Sequence, residues 1–132
     1  MKRVVLDASA VISFFESRSG AEEVEELLAQ AVAGMAELFM SVVNWGEVYY
    51  SIWRAHGHDA ARKTAAEISQ LPIEVANADS ELTKSAAELH AKHNLPYADC
   101  FAAALTKIRK AHLATSDQDF TKVKSEIEIL FL

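Results

Sequence analysis

The sequence alternates short apolar runs with segments of helix length, and this alternation restricts the folds open to the chain. Runs typical of buried strands occupy 3–6 (RVVL), 38–43 (LFMSVV), 73–77 (IEVAN) and 112–115 (HLAT), and each is separated from the next by two helical segments. A fifth run, 126–132 (EIEILFL), alternates charged and apolar residues as an edge strand does. We therefore expect an α/β fold: a mostly parallel central sheet of four to five strands flanked by helices on both faces.

The segments between these runs predict six helices, at 9–17, 20–34, 45–57, 58–71, 81–94 and 96–110. Asn44 is expected to cap the third helix, and Asp79 or Ser80 the fifth. Only four glycines and two prolines occur in 132 residues, so no linker is predicted and we expect one domain over 1–132.

Composition narrows the environment and the chemistry. Cys100 is the only cysteine, which leaves no internal disulfide and no thiolate metal cage, and it favours a reducing compartment. Asp7 interrupts the first apolar run, so a signal peptide is not predicted, and no run approaches the ~18 apolar residues of a membrane span. We expect a cytoplasmic protein. A formal net charge of −6 argues against one that coats nucleic acid by charge alone.

Acidic side chains follow several of the predicted strands. Parallel strands end at one edge of their sheet, and ligands bind beyond that edge in folds of this class. One acid follows the first strand, one lies in the first turn after the second, one lies early in the helix 96–110, and two follow HLAT. We expect all five to meet there: Asp7, Glu47, Asp99, Asp117 and Asp119.

Four of these acids also have an ordinary structural interpretation. Asp7 can cap the helix after it, and Glu47 can form a capping box with Asn44. Asp117 and Asp119 suit a turn, since aspartate accepts hydrogen bonds from nearby backbone amides. From the sequence alone, both interpretations stay open.

Asp99 resists such an interpretation. Pro96 favours the first position of its helix, which makes Asn94 or Leu95 the cap and leaves Asp99 too far along the helix to serve as one. The helix dipole contributes only ~0.3–1 kcal/mol there, which hardly offsets the burial of a lone carboxylate.

Carboxylates that converge on one pocket repel each other until protons or a cation relieve them. Oxygen ligands without cysteine or clustered histidine favour a hard ion, Mg²⁺ or Mn²⁺. Water bound to such an ion can attack a phosphodiester, and the ion also stabilises the departing oxygen.

Four motifs together resemble the PIN-domain ribonucleases, and among them the VapC toxins of bacterial and archaeal toxin–antitoxin pairs. They are VVLDASAVI, SVVNWGEVYY, LPYADCFAAAL and LATSDQDF, in this order over nearly the whole chain. The resemblance implies metal-dependent cleavage of RNA by an endoribonuclease with Mg²⁺ or Mn²⁺ as cofactor.

The resemblance also assigns residues. Asp7, Glu47, Asp99 and Asp117 take the family's four acidic positions, and Asp119 matches a fifth that varies. Asp7 and Asp99 are then expected to bind the metal directly, with Glu47 and Asp117 completing the site directly or through water. Hydroxyl partners that orient carboxylate or phosphate are expected at three further positions, Ser9, Thr115 and Ser116.

Partners follow from the same resemblance: an RNA substrate, a second copy of the chain, and a cognate antitoxin whose C-terminal segment blocks the active site. RNA phosphate could also contact four basic side chains, Arg54, Lys107, Arg109 and Lys110, although basic residues at a helix end often only face solvent.

Three further features are weighed separately. Trp45, Tyr49 and Trp53 recur every four residues, and core packing and an interface are equally open. His90 and His93 lie one turn apart but lack further metal ligands nearby, which favours surface histidines. Cys100 is expected in the core.

Three other functions compete with a nuclease. A haloacid-dehalogenase-type phosphatase needs a second aspartate two residues after Asp7, where this chain has Ser9. A receiver-type phosphoacceptor module needs an aspartate after a middle strand paired with a lysine after a late one, and IEVAN and SDQDF offer no such pairing. A catalytically silent PIN-like interaction protein stays open.

Overall fold

The computed structural model describes all residues, 1–132, and its core is a five-stranded parallel sheet. The strands are β1 (Lys2–Leu6), β2 (Ala36–Ser41), β3 (Ile73–Ala76), β4 (His112–Thr115) and β5 (Glu128–Phe131). They are ordered β3-β2-β1-β4-β5, and every neighbouring pair is parallel. The predicted fold class is confirmed, and the run at 126–132 supplies the expected edge strand.

Six α-helices cover both faces of this sheet. They are α1 (Ala8–Phe15), α2 (Ala21–Val32), α3 (Val42–His56), α4 (His58–Ile68), α5 (Ser80–His93) and α6 (Tyr97–Arg109), and a short 3₁₀ helix at Gln118–Val123 precedes β5. None of the helices is both long and apolar enough to span a membrane.

The alternation of side chains along β1 divides the core into two layers. Val5 points to the face covered by α5 and α6, whereas Val4 and Leu6 point to the face covered by α1 to α4. All three are fully buried, as expected for a strand with helices on both sides.

The chain order creates a switch point beside β1. From β1 the chain builds outward through β2 and β3, and then returns to place β4 on the other side of β1. In open α/β sheets the connections diverge at such a point and leave a crevice at the carboxyl ends of the strands. Here that crevice lies beyond Leu6 and Thr115.

Two helix starts differ from the predictions. The strand predicted at 38–43 ends at Ser41, and Ser41 caps α3 by accepting a hydrogen bond from the Val43 amide at 3.2 Å. Asn44 is therefore not a cap, because it already lies inside the first turn. At α6, Pro96 occupies the cap position and Tyr97 begins the helix, so the predicted caps Asn94 and Leu95 are wrong. For α5 the choice falls on Asp79, which accepts from the Leu82 amide at 2.9 Å.

Gly20 and Gly46 form a matched pair for testing how the backbone is fixed. Gly20 has φ +94°, and a β-carbon there would stand 2.8 Å from the Leu132 side chain. Gly46 lies within α3 and has open space around its α-carbon.

We expect Gly20→Ala to lower the free energy of unfolding by more than about 1 kcal/mol, since alanine disfavours that φ and clashes. Gly46→Ala should raise it by roughly 0.5–1 kcal/mol through helix propensity. Urea titration followed by circular dichroism measures both. Equal stability of the Gly20→Ala variant and wild type would contradict the packing of Gly20 against the C-terminal residue.

Candidate acidic active site

Asp7 lies at the switch point, between the end of β1 and the start of α1. Its side chain is only 4% exposed, and Oδ1 accepts hydrogen bonds from the Ala10 amide at 2.9 Å and the Ser9 hydroxyl at 2.7 Å. Oδ2 accepts from the Thr115 hydroxyl at 2.6 Å. Asp7 therefore does cap α1, and this same capping holds its carboxylate at the crevice.

Burial and hydrogen bonding act in opposite directions on Asp7. Burial raises the pKa of its carboxyl above the ordinary range, while the hydrogen bonds from Thr115, Ala10 and Ser9 favour the ionised form. The nearby charge of Asp117 raises the pKa further.

Hydroxyl groups join the ends of β1 and β4. The Ser9 and Thr115 hydroxyls lie 3.1 Å apart, and Thr115 also accepts a hydrogen bond from the Asp117 amide at 3.0 Å. The Ser116 amide donates to the Ser9 hydroxyl at 3.0 Å. The three predicted hydroxyl residues thus lie around Asp7, in contact with its carboxylate or with the groups that hold it.

Asp117 and Asp119 form the turn that follows β4. Asp117 accepts a hydrogen bond from the Asp119 amide at 2.9 Å and begins the 3₁₀ helix. The turn interpretation of this pair therefore holds, and it is compatible with Asp117 facing the crevice.

Asn44 links the second acidic segment to the third. Its Nδ2 donates to Glu47 Oε1 at 2.8 Å and to the Ala98 carbonyl at 3.1 Å, at the start of α6. Asn44 is 1% exposed, and its Oδ1 is buried without a protein partner. Instead of a capping box, one buried amide fixes Glu47 to the turn that carries Asp99.

Asp99 lies in the first turn of α6, and the potential around it is strongly negative. Burial, followed by the charges of the neighbouring acids, raises the pKa of its carboxyl from 3.8 to about 7. In decreasing order of effect, these acids are Asp117, Glu47, Asp7 and Asp119. No basic group lowers it. The next residue, Cys100, is fully buried, and burial together with the charge of Asp99 raises the pKa of its thiol to about 11. Cys100 is thus a core residue, as predicted, and a poor nucleophile.

Four of the five predicted acids line one cavity of about 410 Å³ at this edge: Asp7, Glu47, Asp99 and Asp117. Asp119 does not line it, although its charge acts on Asp99. A larger cavity of about 590 Å³ lies between the end of α1 and helices α3 and α4, and it contains none of these acids. The chemistry of the side chains, rather than volume, identifies the acidic cavity as the candidate site.

The predicted RNA contacts do not join this cavity. The three basic residues of α6 lie at the end of the helix remote from Asp99, on the order of 12–16 Å along its axis. Lys107 pairs there with Glu126, and Arg109 pairs with Glu74 while lying over the Phe39 ring. Lys110 ends the helix, and Arg54 lies over the Tyr50 ring, outside the cavity.

The aromatic stripe on α3 is divided between two environments. Trp45 and Tyr49 stack with centroids 5.5 Å apart and pack against the core, whereas Trp53 is 45% exposed and stacks on His58. Core packing thus explains the first two residues, and Trp53 presents its ring to solvent.

The histidine pair of α5 points to two different partners. His90 contacts the Leu95 carbonyl, and His93 contacts the Glu126 carboxylate. The two rings are thus engaged in separate hydrogen bonds, which agrees with the prediction that they are not a zinc pair.

The donor set of the acidic cavity fits a hard divalent cation. It consists of carboxylate and hydroxyl oxygens, and the raised pKa of Asp99 reports an excess of negative charge. No three acidic, histidine or cysteine side chains are arranged to hold one ion together. A hydrated ion such as Mg²⁺ does not need such a group, because it keeps several waters and takes one or two carboxylates from the protein.

Sequence reasoning missed several residues that line or support the cavity, among them Arg18, Ser19 and Ser51. Arg18 lines the cavity from the loop between α1 and α2, and no motif marks it. Asn44 was noticed, but for the wrong role. Its position three residues before Glu47 suits a capping box equally well, so only the true start of α3 separates the two roles.

Substitutions of Asn44 test the link between α3 and α6. We expect Asn44→Ala to cost about 1–3 kcal/mol of unfolding free energy, because the buried amide is lost and two half-buried acceptors lose their donor. Asn44→Asp should be worse at pH 8, where an ionised carboxylate would face the oxygens of Glu47 and Ala98. Its deficit should shrink at pH 5, where a protonated carboxyl regains one donor. Denaturant titration at both pH values measures this order, and wild-type stability of Asn44→Asp at pH 8 would contradict it.

The raised pKa of Asp99 predicts how the stability of the metal-free protein depends on pH. Its folded pKa of about 7 exceeds the ordinary 3.8, so between these values the folded state holds a proton that the unfolded state releases. Stability should therefore fall as pH rises from about 4 to about 7. With chelator present, Asp99→Asn should raise the melting temperature at pH 8 by roughly 3–5 °C per kcal/mol of relieved repulsion, with a smaller gain at pH 5. A large fall in melting temperature at pH 8 would instead assign Asp99 a structural role.

Comparison with known proteins agrees with this architecture. The family model described as PIN domain matches residues 4–126. No curated protein sequence matches the chain. Among solved structures, VapBC2 from Rickettsia felis, bound to a DNA fragment from its promoter, gives a TM-score of 0.77 at 13% identity, covering 98% of each chain.

Two further structures show the same likeness. VapC20 from Mycobacterium tuberculosis, a toxin that cleaves the sarcin–ricin loop, has a TM-score of 0.72 and 19% identity over 91% of this chain and 94% of its own. A toxin–antitoxin complex from Klebsiella pneumoniae has a TM-score of 0.72 and 18% identity over 96% and 95%. These identities establish a shared fold, and the family match covers most of the sequence. The chain therefore belongs to the PIN domain family.

Proposed function

We propose that this protein is a Mg²⁺- or Mn²⁺-dependent endoribonuclease and the toxin of a toxin–antitoxin pair. The observation that carries the proposal is the gathering of four carboxylates, from four separate segments, in one cavity at the switch point of the sheet. A fold does not by itself specify a function, so the proposal depends on the carboxylates that line this cavity.

The four acids are proposed to divide the work. Asp7 and Asp99 would hold the ion directly: Asp7 is rigid through three hydrogen bonds, and the pKa of Asp99 is raised by burial and by its acidic neighbours, whose repulsion a cation would offset. Glu47 and Asp117 would complete the site directly or through water, and Asp119 would act only through its charge. When bound, the ion supplies an activated water and stabilises negative charge on the phosphate.

Proton movement accompanies this binding. The raised pKa of Asp99 leaves its carboxyl partly protonated near neutral pH, and a cation in the cavity would favour the ionised form. Ser9, Thr115 and Ser116 are proposed to keep the carboxylate of Asp7 oriented throughout, because their hydrogen bonds connect the segments that follow the two central strands.

The partners are proposed from the neighbours and from the surface. The similar structures include toxin–antitoxin complexes, so we propose a cognate antitoxin whose C-terminal segment blocks the acidic cavity. A homodimer is also proposed, and exposed aromatic rings at Tyr50, Trp53 and Tyr97 offer surface suited to contacts of this kind. We also propose that the protein acts in the cytoplasm, where it would meet an RNA substrate.

A cleavage assay tests the nuclease directly. Purified protein would be incubated with a mixture of structured RNAs, including a sarcin–ricin loop RNA, with Mg²⁺, with Mn²⁺ or with chelator. We expect cleavage only with metal, and a loss of at least about 100-fold in Asp7→Asn and Asp99→Asn, because several kcal/mol of transition-state stabilisation disappear.

Asp59→Asn is the matched control. Asp59 is an exposed acid on α4, outside the acidic cavity, so the same substitution there should leave cleavage unchanged. Equal cleavage by all variants would reveal a contaminating ribonuclease and remove the support for the assignment. Metal binding without any cleavage would instead favour a silent PIN-like interaction protein.

A further inference from the structure

The acidic cavity contains one basic side chain. Its twelve lining residues include the four carboxylates, five serines and a single arginine, Arg18. Two of the serines are Ser19, which follows Arg18 in its loop, and Ser51, which lies one turn after Glu47 on α3. Arg18 also lines the larger cavity, together with its partner Glu16, so its side chain lies where the two cavities adjoin.

The loop that carries Arg18 is held in place at both ends. The Arg18 amide donates to the Ser13 carbonyl at 2.9 Å, and its carbonyl accepts from the Ala21 amide at 3.0 Å. Gly20, two residues on, packs against Leu132. The backbone of Arg18 is therefore fixed, while its side chain is 64% exposed and free to change direction.

Arg18 does not neutralise the acids of the site. The charges that shift the pKa values of Asp7 and Asp99 are all carboxylates. The guanidinium instead contacts Glu16 at 2.5 Å, and Glu16 also contacts His56 at 2.8 Å. The Arg18 side of this pair is exposed to water, which weakens the pair, and Glu16 has His56 as a second partner, so a phosphate can replace Glu16 as the partner of Arg18.

Distance along α1 separates Arg18 from the proposed metal site. The eight residues of α1 span about 12 Å, and Asp7 and Arg18 lie beyond its opposite ends. The backbone of Arg18 thus lies away from Asp7 while its side chain lines the same cavity, which suits a phosphate next to the one held over Asp7. Arginine also binds phosphate through two parallel hydrogen bonds, which lysine cannot form.

We propose that Arg18 is a substrate-binding residue that contacts an RNA phosphate flanking the one cleaved, and that Glu16 holds the guanidinium until RNA arrives. The inference rests on the proposed ribonuclease function, because RNA is the polyanion assigned to this cavity. It also replaces the basic end of α6 as the expected place of phosphate contact.

Kinetics with two variants of Arg18 and one control variant test the proposal. Cleavage of the structured RNA mixture and of the sarcin–ricin loop RNA would be measured for wild type, Arg18→Ala, Arg18→Lys and Arg62→Ala. Arg62 is an exposed arginine on α4 outside the cavity, so its variant removes the same charge elsewhere. We expect Arg18→Ala to raise KM about tenfold with kcat nearly unchanged, Arg18→Lys to recover part of the loss, and Arg62→Ala to match wild type. In Arg18→Ala, the slope of log(kcat/KM) against log salt should also become less steep by about one unit, because one phosphate contact is lost.

Binding of a fluorescein-labelled, mixed-sequence single-stranded RNA, measured by anisotropy with chelator present, provides a readout that needs no cleavage. Glu16→Gln should tighten binding in the wild-type background and have no such effect in the Arg18→Ala background. Identical salt dependence and KM for Arg18→Ala and Arg62→Ala, with active wild type, would overturn the role of Arg18 alone. RNA binding that depends on Arg18 without any cleavage would overturn the nuclease and keep the contact, and absence of both would overturn both.

Discussion

The hydrogen bond from Thr115 to Asp7 connects the ends of the two central strands, and the rest of the site is arranged around it. Thr115 is fully buried and Asp7 nearly so, so the bond is shielded from water and holds the carboxylate firmly. β1 and β4 are neighbours in space although their residues are more than a hundred positions apart in sequence. A change in the register of either strand would therefore separate Asp7 from the turn that carries Asp117.

Electrostatic repulsion in the cavity works against this arrangement, and packing elsewhere opposes it. Asp99 is followed in α6 by seven consecutive buried residues, Cys100 to Thr106. Apolar burial on that scale can keep a carboxylate in an unfavourable place, since folded proteins tolerate local strain when the surroundings fix the geometry. The apolar neighbours of Asp99 are therefore the reason that it can stay near three other acids, rather than a conflict with its charge.

Much of the fold was predictable because its signals are local. Buried parallel strands appear as continuous apolar runs, and Asp79 caps α5 as its sequence indicates. The start of α3 was misplaced because Val42 and Val43 favour strands in isolation, whereas the Ser41 cap and packing against the core place them in a helix. The role of Asn44 was missed for a different reason. Its second acceptor belongs to Ala98, 54 residues away, and no local pattern in the sequence marks that contact.

The sequence by itself determined that acids from separate segments would meet, because parallel strands end at one edge of their sheet, and four of the five expected acids line one cavity there. Only the tertiary structure decided which basic residue joins them. The basic end of α6 is carried away from the cavity by the length of its own helix, while a loop between α1 and α2 brings Arg18 to the cavity. Which charges pair depends on helix length, loop path and the direction of side chains in space, and none of these has a local signal in the chain.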